Sequence, residues 1–312
     1  MISAELKNQR LKIIDEILAD LYLLKKSDNN NYAIDENTAF FKAIKSKIGY
    51  TKWLFLKAFK IDSSKLLEFT DFAIPKWDRR MHQALVKLEK RKFPGLIKPL
   101  VSRISSIIIS NTKNTLVADF GSGGIEVVRQ VIVQLLNNHY GNAVTFVGVD
   151  NSNSAHEVAM ENLKELTEKG VVDILKVEKL DQESLNDIIR KNRKQYKVIL
   201  CKNNLFKISD CFYSRVFDIV FHSLFKHHFN KRDKEKLDGI GKQLGRIYLE
   251  YDGYKSWPHI LVPHTLTGWK DPVFLNATIF SDLRYFTKKE LKNNIKNGKI
   301  NFYSIGTYLL ES

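Results

Sequence analysis

Residues 116–150 read LVADFGSGGIEVVRQVIVQLLNNHYGNAVTFVGVD, and the fold follows from them. The apolar run Leu116-Val117-Ala118 ends in Asp119, and a glycine-rich turn follows at Gly121, Gly123 and Gly124. Val127, Val128, Val131, Ile132, Leu135 and Leu136 then recur on one face, which predicts a helix over Ile125 to Asn138 that lays one side on a sheet. Val144 to Val149 is a second strand, closed by Asp150. The stretch is a βαβ unit, with glycines where backbone must approach a ligand and an acid at the tip of the second strand.

That arrangement suits a nucleoside. Glycines permit the sharp turn and present bare amides, while a carboxylate at the next strand end accepts hydrogen bonds from both ribose hydroxyls. A nicotinamide dinucleotide fits poorly, because its fingerprint needs a third glycine where this chain has Glu126.

An acid followed by alternating glycines resembles motif I of the class I S-adenosylmethionine-dependent methyltransferases. On that resemblance Asp119, Phe120, Gly121, Ser122 and Gly123 form the cofactor loop, and Asp150 with Asn151 meets the ribose. One departure is visible: the last glycine of the usual pattern is Ile125, with Gly124 one place earlier. The resemblance implies a Rossmann-like, doubly wound, seven-stranded α/β sheet with an antiparallel last strand, preceded by an all-helical N-terminal cap. It also implies S-adenosyl-L-methionine as cofactor and S-adenosyl-L-homocysteine as product.

The order of parts downstream strengthens the resemblance. Residues 151–154, Asn-Ser-Asn-Ser, make the turn and cap of a helix over Ala155 to Lys169. Val171 to Leu175 and Leu185 to Arg193 read as a strand and a helix, an extra unit inserted beside the basic fold. Tyr196 to Cys201 is a central strand, and Asn203, Asn204 and Leu205 at its end suit an adenine ring, the asparagines for its polar edge and Leu205 for its face. Family members often carry an acid there; a plain turn that uses Asn for its backbone tolerance is the alternative. Residues 217–229, FDIVFHSLFKHHF, are similar to the fourth-strand region of the small-molecule branch. The Asp/Asn-Pro-Pro-aromatic sequence of amine-methylating nucleic-acid enzymes is absent from that position. A helix over Lys234 to Leu244, a strand over Gly245 to Asp252, a helix over Lys288 to Lys296 capped by Thr287, and a hairpin turning near Ser304 to Thr307 complete the pattern.

Methyl transfer from a sulfonium asks the protein to hold acceptor and methyl in line and, where needed, to take a proton. Histidine suits the second task. His227, His228 and His222 are the catalytic candidates, His227 first because the resemblance places it near the sulfonium, and His222 counts as a cofactor contact too. Glu126, Asp218 and Asp252 read as structural acids.

Residues 1–95 are expected to form the helical cap and 96–312 the methyltransferase domain, with a lid-like insertion at about 253–286. Ile14, Ile17, Leu18 and Leu21 make a helical stripe, and Thr38 is the expected N-cap of a second helix. Trp77, His82, Tyr254, Trp257 and His259 are the substrate-pocket candidates; each aromatic taken singly is more simply the core of its own segment. The expected acceptor is a small molecule methylated on oxygen or carbon. An RNA acceptor and a non-catalytic cofactor-binding protein are the alternatives.

With 312 residues and 44% of them hydrophobic, the chain can bury a large core. No apolar run is long enough to span a membrane, and the start MISAELKNQR has no signal-like apolar stretch. Cys201 and Cys211 match neither a disulfide framework nor a metal site, so the expected compartment is the reducing cytoplasm and no metal is expected. A net charge of +15 is compatible with a polyanionic partner, but the basic residues are scattered, as on a lysine-rich solvated surface.

Overall fold

In a computed structural model of the chain, the residues described are 4–27, 31–46, 49–53, 75–87, 90, 95–191, 194–229, 231–255, 272–294, 298–303 and 306–312. They form two compact units. One comprises residues 78–253 and 293–312, the other residues 1–77 and 254–292.

The first unit is built on strands β1 (Thr115–Phe120), β2 (Val144–Val149), β3 (Val172–Val177), β4 (Tyr196–Cys201), β5 (Phe217–Ser223), β6 (Gly245–Gly253), β7 (Lys299–Phe302) and β8 (Thr307–Glu311). They lie in one sheet in the order β3-β4-β2-β1-β5-β6-β8-β7. All pairings from β3 to β6 are parallel, and β8 runs antiparallel to both β6 and β7. The doubly wound sheet with an antiparallel last strand is therefore the observed fold. It has eight strands rather than seven, because the inserted unit at 171–193 contributes β3 to the sheet edge, followed by helix Gln182–Lys191.

Strands β2 and β4 are buried along their whole length, as continuous apolar runs covered on both faces must be. Helices Lys98–Ser110, Glu126–Asn137 and Asn153–Glu168 cover one face, where Ile104, Val128, Ile132 and Leu163 pack on Val117, Phe146 and Val198. Helices Gln182–Lys191 and Lys231–Leu244 cover the other, where Leu185, Leu237 and Leu244 pack on Ala118, Val147 and Ile199. From β1 the chain winds outward through β2, then crosses back from β4 to β5 on the far side of β1. Sheets of this kind hold ligands outside the carboxyl ends of the strands, at the place where the order reverses.

In the second unit, helices α1 (Ala4–Ser27) and α2 (Asn31–Ala43) pack with a helix over Pro272–Arg284. Ile14, Ile17, Leu21, Phe40, Phe41 and Ile44 are its buried core, and Trp53 meets Phe40 edge to face at 5.0 Å. Thr38 does not cap α2: it lies inside the helix and donates from Oγ1 to the Ile34 carbonyl at 2.7 Å. Its hydroxyl satisfies itself one turn back, which a mid-helix threonine does readily. Within the expected insertion, the helix Pro272–Arg284 belongs to this unit, where Asn276 donates to Asn37. By compactness the chain divides after Trp77. The predicted Thr287 cap is present and reciprocal: its Oγ1 accepts from the Glu290 amide, and the Glu290 carboxylate accepts from the Thr287 amide.

Candidate functional site

At the carboxyl end of β1, the amides of Gly121 and Ser122 both donate to the Val149 carbonyl, folding the turn back against the end of β2. Gly121 and Gly123 adopt φ of 69° and 48°, in the left-handed region that a glycine enters without steric cost. The Phe225 ring lies so close to Gly121 that any Cβ there would meet it at 2.2 Å. Ile125 also adopts a left-handed φ, 56°. Holding a β-branched residue in that region costs roughly 1–2 kcal/mol.

Asp150 faces this turn and uses both carboxylate oxygens. Oδ2 accepts from the Gly123 amide at 2.9 Å, and Oδ1 accepts from the Ser152 amide at 2.9 Å. A carboxylate has about four acceptor positions, so two remain for a ligand. Ser152 caps the next helix by accepting from the Ala155 amide, and its hydroxyl donates to Asp78. Asp119 is buried at the end of β1, where burial and the nearby Asp150 charge push its carboxyl well above the usual range. The Phe120 side chain points into the core among Ala118, Val147 and Val220. Ser122 is nearly buried and its Oγ has no hydrogen-bond partner among the described residues.

At the end of β4, Asn203 is buried and donates to the Leu180 carbonyl. Asn204, in extended backbone, accepts the Phe206 amide through its side chain as the cap of the short 3-10 helix Leu205–Asp210. Leu205 is buried beside Ile208 in the core. Asn151 is exposed.

The three predicted histidines sit in different surroundings. His222 is fully buried, its Nε2 2.8 Å from the Tyr248 hydroxyl, and its Nδ1 has no partner among the described residues. Burial, with the Lys226 cation nearby, lowers its pKa to about 4. His227 is held by Asp252, which accepts both its amide and its Nδ1–H, the latter at 2.8 Å. His228 is half-buried, its ring 4.3 Å from that of His227 and 5.9 Å from Phe225.

Beneath them, Lys226 donates to Asp238 and Glu250 at 2.7 Å each, and Tyr308 donates to Glu250. His222, Asp238 and Glu250 bring ligating atoms within 4.8 Å of one another. The ammonium of Lys226 already stands between the two acids, so the cluster carries its own cation.

Of the predicted pocket residues, Trp77 and Tyr254 belong to the helical unit. Trp77 is buried and donates to Asp20, and Tyr254 is buried under the Lys288 ammonium. Trp257 and His259 lie outside the described residues. His82 instead belongs to the sheet unit and stands against Gly123.

Two site residues escaped the sequence. Asp78, on helix Pro75–Lys87, reaches Ser152 across a separation that no local pattern signals. His156, one turn into the helix after Asp150, is fully buried with both ring nitrogens unpartnered, and burial lowers its pKa. Glu126, read as structural, is held by Arg129, Gln130 and Asn162.

No protein-family model matches the chain, and no curated protein does. Among solved structures, the chain is similar to a SAM-dependent methyltransferase from Aquifex aeolicus, at 12% identity and TM-score 0.45 over 74% of this chain and 96% of that one. It is similar to the plantazolicin methyltransferase BpumL in complex with SAH, at 11% identity and TM-score 0.48 over 78% of this chain and 93% of that one. It is also similar to the CurJ carbon methyltransferase, at 10% identity and TM-score 0.47 over 94% of this chain and 69% of that one.

Proposed function

We propose that the protein is a methyltransferase that binds S-adenosylmethionine at the β1 and β2 strand ends and methylates oxygen or carbon of a small-molecule acceptor. One observation carries the reading: Asp150 faces a left-handed glycine turn with both oxygens anchored by backbone amides and acceptor capacity left over. That is the arrangement a ribose diol requires. The residues fit the rest of the cofactor as well. Gly121 and Gly123 turn the backbone through left-handed φ, Ser122 offers a hydroxyl, and the β4 end offers Asn203 for an adenine edge.

When bound, the cofactor supplies a methyl group already activated by its sulfonium. The protein's part is to hold the acceptor in line about 3 Å from that methyl and to take a proton from it. Asp252 accepting from His227 Nδ1–H fixes the tautomer, so Nε2 carries the lone pair and is the basic nitrogen. His227 is thus our proton acceptor, with His228 stacked over it. His222, sealed in the interior on Tyr248, supports the strand end instead of exchanging protons with a ligand.

Calorimetric titration with S-adenosylhomocysteine, on the wild type and Asp150→Ala, tests the reading. Micromolar binding that the variant loses supports it, and a folded wild-type protein that gives no heat overturns it. Labelled methyl recovered in an organic extract supports the small-molecule acceptor. The +15 charge favours RNA as the second reading, which salt-sensitive RNA retention would support.

A further inference from the structure

The glycine turn is approached from two sides. From one, Asp150 accepts the Gly123 amide. From the other, His82 lies against Gly123, its Nδ1 3.3 Å and Cε1 3.6 Å from where a Cβ would stand. The imidazole is oriented from behind: Nε2 is 3.2 Å from Asp78 Oδ1, while Asp78 Oδ2 accepts from Ser152. Nδ1 therefore faces the turn.

The charges around the ring favour its cationic form. Burial pulls the His82 pKa down, but the hydrogen bond to Asp78 and the charges of Asp150 and Asp78 outweigh it, against an opposing effect of His228. An imidazolium held on Asp78 through Nε2–H has one donor left, Nδ1–H.

A vicinal diol needs two kinds of partner. Its hydroxyls donate, which Asp150 can accept, and its oxygens accept, which a carboxylate cannot serve. We propose that His82 is the donor half of a diol clamp, its Nδ1–H binding a ribose oxygen while Asp150 accepts from the hydroxyls. The ligand class is a ribonucleoside with free 2′ and 3′ hydroxyls. The inference rests on the function proposed above and adds a second ribose contact from outside the βαβ unit, with Asp78 as its positioning residue.

The test compares two ligands, S-adenosylhomocysteine and its 2′,3′-dideoxy counterpart, by calorimetry on wild type, His82→Ala and His82→Asn. A hydrogen bond to a charged donor contributes about tenfold or more to affinity. In His82→Ala, S-adenosylhomocysteine binding should fall by about that factor while the dideoxy ligand binds as in the wild type, so the preference between them shrinks. His82→Asn, whose amide nitrogen takes the place of Nδ1, should keep part of the preference. Retained dideoxy binding doubles as the evidence that a variant is folded. If His82→Ala leaves the preference unchanged, whether both affinities fall together or neither does, the clamp is overturned and the cofactor reading stands. If the wild type binds neither ligand, both fall.

Discussion

Lys226 donates to Glu250 at 2.7 Å, and both side chains are almost wholly buried. Burial pulls the ammonium's pKa down, but the charges of Glu250 and Asp238 carry it above its ordinary value. Removing one partner of such a group strands the others. Lys226→Met should destabilise the protein by roughly 3–5 kcal/mol in urea unfolding. Adding Glu250→Gln to it should recover part of that loss, and a purely additive double variant would show that the pair is not coupled.

Asp150→Ala should weaken S-adenosylhomocysteine by about a hundredfold, since two charge-assisted hydrogen bonds are lost. The thermal midpoint in the absence of ligand checks that the turn still folds. An affinity within a few-fold of wild type would place the ribose elsewhere.

His222 yields a pH dependence. Its pKa is about 4 folded and near its ordinary value unfolded, so between those limits the unfolded chain binds the extra proton. Stability from this group is complete above the unfolded pKa and is lost as pH falls toward the folded one. The loss is on the order of 3 kcal/mol. Urea midpoints at neutral pH and near pH 4.5 should diverge more for wild type than for His222→Gln, and equal divergence would refute the assignment.

Ile125 offers a reversal of the usual order. At most buried sites glycine is less stable than alanine by roughly 0.5–1 kcal/mol, but at a left-handed φ the preference inverts. Both Ile125→Ala and Ile125→Gly lose a buried side chain, and Ile125→Gly should be the more stable of the two by about 1 kcal/mol. Chemical denaturation of the pair decides it.

The parts that were legible in the sequence are those with local periodicity. The βαβ unit, the acids at the tips of β1 and β2 and the cap at Ser152 each follow from residues a few places apart, and their sequence expectations agree with the structure. What was illegible depends on partners far along the chain. Asp78 gains its role only because Ser152 comes to it, and His156 reads as one polar residue on a helix until its burial is seen. Trp77 shows the limit from the other direction. Its aromatic ring suits a pocket or a core equally well, and the hydrogen bond to Asp20 ties it to the helical unit. Thr38 looked like a helix start because threonines cap, yet α2 was already under way.

The sheet order has a consequence for folding. Strand β6 has nine residues and pairs on one side with β5, which precedes it closely, and on the other with β8, which returns only after the whole stretch grouped with the other unit. Until β8 docks, β6 presents a long row of unpaired amides and carbonyls, the kind of edge along which chains associate. Closing it requires a distant strand to come back antiparallel, a non-local step that is entropically slow. Aggregation during refolding should therefore compete chiefly with the docking of β8, and slow in a chain where that strand is supplied early.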